Sequence, residues 1–92
     1  MEIILTNAEE AGMPAEMAEN CKELISRRIQ KEFGGLPTPG AEVTILYSEK
    51  DPLGKTKEVD DNAYFIYFTV ESVDAHQGGD PHAAMVKLTL VM

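Results

Sequence analysis

The chain has 92 residues, enough for one domain with a single two-layer core, and its 43 % hydrophobic and 26 % charged content is ordinary for a soluble globular protein and too apolar for a disordered one. Sixteen acidic residues against eight basic ones give a net charge of −8, which argues against direct binding to a nucleic-acid backbone or an anionic membrane. The single cysteine, Cys21, excludes an internal disulfide and any Cys-based zinc site.

Residues 2–6, Glu-Ile-Ile-Leu-Thr, form a short β-prone run, and residues 7–13, with Asn7, Gly12 and two glutamates, suit a loop. Pro14 stands where helices tolerate proline, in the first turn, because the missing N–H has no partner there. From residue 14 to residue 33 the apolar side chains Met17, Cys21, Leu24, Ile25, Ile29 and Phe33 recur at spacings of three and four, one stripe of an amphipathic helix. The other face carries Glu16, Glu19, Glu23, Arg27, Gln30 and Lys31, with Glu23 and Arg27 spaced as a favourable i,i+4 pair. No side-chain cap precedes Pro14. Gly34 and Gly35 end the helix, and Pro37 and Pro39 prevent its restart. Cys21 falls on the apolar stripe and is read as a small buried hydrophobe rather than a reactive thiol.

Three strand patterns follow. Residues 41–47 alternate Val43, Ile45 and Tyr47 with Glu42, Thr44 and Leu46. Residues 63–71 read Ala-Tyr-Phe-Ile-Tyr-Phe-Thr-Val-Glu, aromatic and β-branched, and residues 84–91 alternate Val86, Leu88 and Leu90 with Met85, Lys87 and Thr89. The breaker-rich segments 48–62 and 72–83 join them. The order β-α-β-β-β predicts an α+β fold, one helix packed on a mixed four-stranded sheet, with the first two strands parallel and the last two an antiparallel hairpin. No run of apolar residues is long enough to span a membrane, and the first residues lack the basic-then-apolar pattern of a signal peptide, so a cytoplasmic location is expected.

One helix covers one face of such a sheet. With Tyr64, Ile66, Phe68 and Val70 turned to the helix, Phe65, Tyr67 and Thr69 turn away, joined by Met85, Thr89, Val91 and Leu46. An apolar, aromatic face on an acidic molecule marks docking or dimerisation unless the 48–62 loop folds over it. RNA-binding modules that stack bases on such a face surround it with basic residues, and here only Lys87 lies in the neighbouring strand.

Chemistry-bearing patterns are sparse. Asp74-Ala75-His76 and Asp80-Pro81-His82 repeat an Asp-x-His unit, and Asp74, His76, Asp80 and His82 are a weak candidate set for a divalent metal, offset by the fact that Asp, His, Gly and Pro also make an ordinary solvated turn. Gly54-Lys55-Thr56 resembles the end of a phosphate-binding loop, but Glu49 stands where that motif needs its first glycine and a strand follows in place of a helix. No serine, cysteine or histidine stands in a nucleophile arrangement. Neither an enzyme nor a cofactor is indicated.

Residues 1–47 resemble the DinI-like family, small acidic bacterial and phage proteins that act on RecA filaments. The residues that carry the likeness are Met1 and Ile3, Met13-Pro14-Ala15, Leu24, Ser26-Arg27-Arg28-Ile29-Gln30 with Phe33, and Val43-Thr44-Ile45 with Tyr47. The family closes with a second, strongly acidic helix where this chain has two strand patterns, so RecA binding is not carried over. The expected function is a small non-enzymatic protein-binding module, an inhibitor or modulator of a nucleic-acid-handling protein of the kind phages encode. Phe65, Tyr67 and Met85 would anchor it, and an acidic rim including Glu16, Glu19, Asp60 and Asp61 would meet a partner's basic surface. The alternative is a self-associating dimer, paired through the open sheet face, with a small-ligand or metal site between subunits.

Overall fold

The computed structural model describes residues 1–56, 61–75 and 84–91. Five elements follow in order: β1 (Glu2–Leu5), α1 (Ala15–Phe33), β2 (Glu42–Tyr47), β3 (Tyr64–Asp74) and β4 (Met85–Leu90). The sheet order is β1-β4-β3-β2, with β1 parallel to β4 and the two other pairings antiparallel. The expected α+β architecture, one helix on a mixed four-stranded sheet, is therefore present. β1 and β2 do run the same way, but they occupy opposite edges, so the helical crossover between them passes over two later strands.

The helix forms where the apolar period placed it. Pro14 is its N-cap residue, in an extended conformation (φ −60°, ψ 149°) and with no side-chain capping bond. The far end is closed by Gly34 in the left-handed region (φ 66°), whose N–H donates to the Gln30 carbonyl at 3.0 Å; an L side chain there would be strained. Cys21, Ile25 and Ile29 are fully buried, packed with Val43, Ile45, Tyr47, Ile66, Phe68, Val70, Val86 and Leu88 from the sheet's inner face. Each strand alternates as a half-buried strand must.

Two details depart from the expected pattern. β3 continues to Asp74, past a register shift between Val70, opposite Leu88, and Ser72, opposite Lys87. Glu71 is the extra residue of that bulge. β1 is prolonged beyond its backbone ladder by a side chain: Thr6 N–H donates to the Leu88 carbonyl, and then the Asn7 carboxamide both accepts from Leu90 N–H (2.7 Å) and donates to the Leu90 carbonyl (3.0 Å). Asn7 thereby imitates one more residue of strand. Among the described residues no helix is long and apolar enough to cross a membrane.

Candidate functional site: the open sheet face

The helix covers one side of the sheet, so side chains of the opposite parity stand on the other. The β2–β3 register sets Leu46 against Phe65 and Thr44 against Tyr67, and Val91 donates its N–H to the Tyr67 carbonyl at 2.9 Å. Residues directly opposite in an antiparallel pair share a face and touch. Leu46, Phe65, Tyr67 and Val91 thus form one continuous corner, each more than half exposed (56, 58, 53 and 54 %). The loop after β2 leaves this corner bare over its described part. Glu49 and Pro52 border a hollow with Pro14, Met17 and Tyr47 on the helix side, and the Leu53 carbonyl accepts a 2.9 Å bond from Arg27 Nη1.

Beside the corner the open face carries a hydrogen-bonded cluster. Glu71, pushed out at the bulge, accepts from the Thr89 hydroxyl at 3.0 Å and lies 3.1 Å from the Thr6 hydroxyl, which is itself 3.2 Å from that of Thr89. One carboxylate here ties β1, β3 and β4 together. The open face thus holds this hydrogen-bonded cluster, with Met85 and Ile4 beyond it, next to the apolar corner.

The residues singled out from sequence are not all brought together. Phe65 and Tyr67 meet in the corner. Met85 shares their face but lies at the other end of β4, opposite Asp74 and Glu2 and half-buried, roughly 20 Å along the strand from Val91 at ~3.3 Å per residue. Glu16 and Glu19 are exposed on the helix, the layer behind the sheet, and Glu19 is paired with Lys22 at 3.1 Å. Asp61 is exposed in the turn leading into β3, while Asp60 lies outside the described residues. Asp74 is the last residue of β3 rather than part of a turn; His76, Asp80 and His82 lie outside the described residues. Among the described residues no three His, Cys, Asp or Glu side chains converge as metal ligands.

Basic side chains border the corner. Arg27, Arg28 and Lys31, on the flank of α1 nearest the β2 edge, line a groove of ≈ 230 Å³ with Leu24, Thr44, Ile45, Leu46 and Phe65. Arg27 and Lys31 are exposed, as their place outside the apolar stripe predicts; that they border the corner has no signal in the sequence, because it depends on where the helix flank lies against β2.

Among the described residues the Cys21 thiol and the Tyr64 hydroxyl are shifted from their ordinary values, and neither is poised for chemistry at neutral pH. The Cys21 thiol is pushed up to about 11, first by burial and then by the Glu49 carboxylate. Tyr64 is raised by desolvation and by donating its hydroxyl to Glu49 Oε1 at 3.1 Å. Compared with known proteins, the chain matches no family model, no curated protein and no solved structure.

Proposed function

We propose that this chain is a non-enzymatic protein-binding module that docks through the apolar corner of its open sheet face. The observation that carries the reading is the contiguity of Leu46, Phe65, Tyr67 and Val91, four large apolar side chains more than half exposed on a surface that the helix and the described part of the loop leave bare. Aromatic residues held rigidly on a sheet offer much contact area at little conformational cost, which is what interface anchors need. The narrower reading, an inhibitor of a nucleic-acid-handling protein, rests on the net charge of −8 alone, which would steer the chain toward a basic partner over long range. Glu16 and Glu19, behind the sheet, contribute to that field and not to the corner.

A photo-reactive phenylalanine analogue placed at 65, 67 or 16 in the cells that make the protein tests the reading. Positions 65 and 67 are expected to give the same discrete protein adduct and position 16 none. An adduct of twice the chain's own mass would assign the corner to self-association. Absence of any adduct at 65 and 67, or equal adducts from all three positions, would overturn it.

A further inference from the structure

We infer that the free edge of β2, with the basic groove beside it, takes an extended acidic segment of a partner protein as an added strand. The inference rests on the protein-docking reading of the corner and adds the chemistry of the segment that docks.

The backbone geometry comes first. Val70 N–H donates to the Ala41 carbonyl and Gly40 N–H to the Val70 carbonyl, both at 2.8 Å, which sets the phase of the β2–β3 ladder. Alternation then pairs Val43, Ile45 and Tyr47 with β3 and turns the N–H and C=O groups of Thr44 and Leu46 outward, to an edge with no neighbouring strand among the described residues. Such an edge is a template for another chain.

The side chains around that edge decide which chain. On its helix side, Arg27 is already committed, to Glu23 Oε1 at 3.2 Å and to the Leu53 carbonyl. Arg28 reaches Glu32 through Nε at 3.1 Å, leaving its terminal nitrogens without a partner among the described residues, and Lys31 has no partner among them. On its open-face side stand Leu46 and Phe65. An added strand would therefore present one row of side chains to Arg28 and Lys31 and the alternate row to Leu46 and Phe65: acidic and apolar in turn. A second copy pairing edge to edge would bring the same cations toward each other, so the charge disfavours it. Glu23 and Glu32 offset two of the groove's three cations and leave Lys31 as its surplus positive charge, while beyond about 8 Å physiological salt screens the rest of the molecule's −8.

The probe is a library of random short peptides displayed on phage and selected on the intact protein. Peptides that alternate Asp or Glu with β-branched or aromatic residues are expected to enrich. Their affinity should fall about tenfold or more with Arg28→Gln/Lys31→Glu, the size expected for losing close charge pairs. It should fall similarly with Thr44→Pro, which removes an outward N–H and no ladder bond, and so leaves the fold standing. Enrichment of neutral or basic peptides, no enrichment, or displacement of the bound peptides by a short oligothymidylate would overturn the inference. Peptides that ignore those changes but are lost with Phe65→Ser/Tyr67→Ser would overturn it while leaving the docking reading intact. Binders indifferent to all of these variants would overturn both.

Discussion

The Glu49 carboxylate helps to hold the protons of both Cys21 and Tyr64, and these two groups make the alkaline stability of the molecule a residue-scale question. Cys21 is fully buried, and its thiol is raised from 9.0 to about 11 because a thiolate would be stranded in an apolar core near a carboxylate. The folded state therefore holds this proton more tightly than the unfolded chain does. The stabilisation is complete below pH 9, declines as pH rises toward 11, and amounts to about 2–3 kcal/mol at ~1.36 kcal/mol per unit. Tyr64, 40 % exposed and also raised, adds a smaller loss of the same sign above its ordinary value of 10.0. Urea unfolding between pH 8 and pH 10.5 should show the wild type weakening steeply, and Cys21→Ala, less stable at pH 8, weakening less. Parallel profiles for the two proteins would mean that the thiol does not stay protonated in the fold. The same burial predicts that the thiol of the native protein resists alkylation at pH 8 and reacts once unfolded.

At the scale of elements, the chain declares its local structure and hides its long-range pairing. The helix was legible to within a residue because its three- and four-residue apolar spacing has no strand counterpart, and Gly34 marks its end in sequence as it does in space. Inward and outward sides of β3 were legible for the same kind of reason: Phe68 is fully buried and Tyr67 is not. The adjacency of β1 to β4 was not, since a parallel pairing of Ile3 with Val86 leaves no local signature in either segment. The Asn7 bridge was equally silent, an ordinary loop asparagine until Leu90 is set beside it. In the candidate site Phe65 and Tyr67 were legible from alternation, whereas the cationic border was not, because it needs the helix flank and the β2 edge to be placed together. Asn7 yields the sharpest element-scale prediction. Asn7→Ala removes both bonds to the half-buried Leu90 backbone and should cost about 1–3 kcal/mol, with hydrogen exchange at the Leu90 amide accelerating before that of the β3 core. Asn7→Asp keeps the acceptor, loses the donor and should fall between. A loss below about 0.5 kcal/mol in Asn7→Ala would show that water replaces the side chain without penalty and that β1 is held by its hydrophobic contacts alone.

Over the whole molecule the opposing electrostatic effects can be ranked. Among the described residues the ion pairs Lys22–Glu19, Arg27–Glu23 and Arg28–Glu32 join side chains 37–73 % exposed, a setting in which each contributes about 0–1 kcal/mol and salt weakens it further. Against them stands the mutual repulsion of sixteen acidic residues with only eight bases to offset it, distributed over a body whose radius of gyration is 13.3 Å. Low salt, with a Debye length of about 30 Å at 10 mM, lets every acid feel nearly every other, while about 0.3 M confines the interaction to near neighbours. Repulsion is long-ranged and the pairs are local, so screening removes more of the first than of the second. The melting temperature should accordingly rise by a few degrees between those two salt concentrations, a change corresponding to about 1 kcal/mol in a domain of this length. A fall would mean that the paired residues on α1 outweigh the net charge. The same screening lowers the barrier between two copies, so sedimentation at both concentrations separates the roles of the apolar corner. A corner reserved for a different protein leaves the chain monomeric at high salt, whereas a corner built for self-association produces a dimer there, and Phe65→Ser/Tyr67→Ser would abolish that dimer together with the concentration-dependent part of the melting temperature.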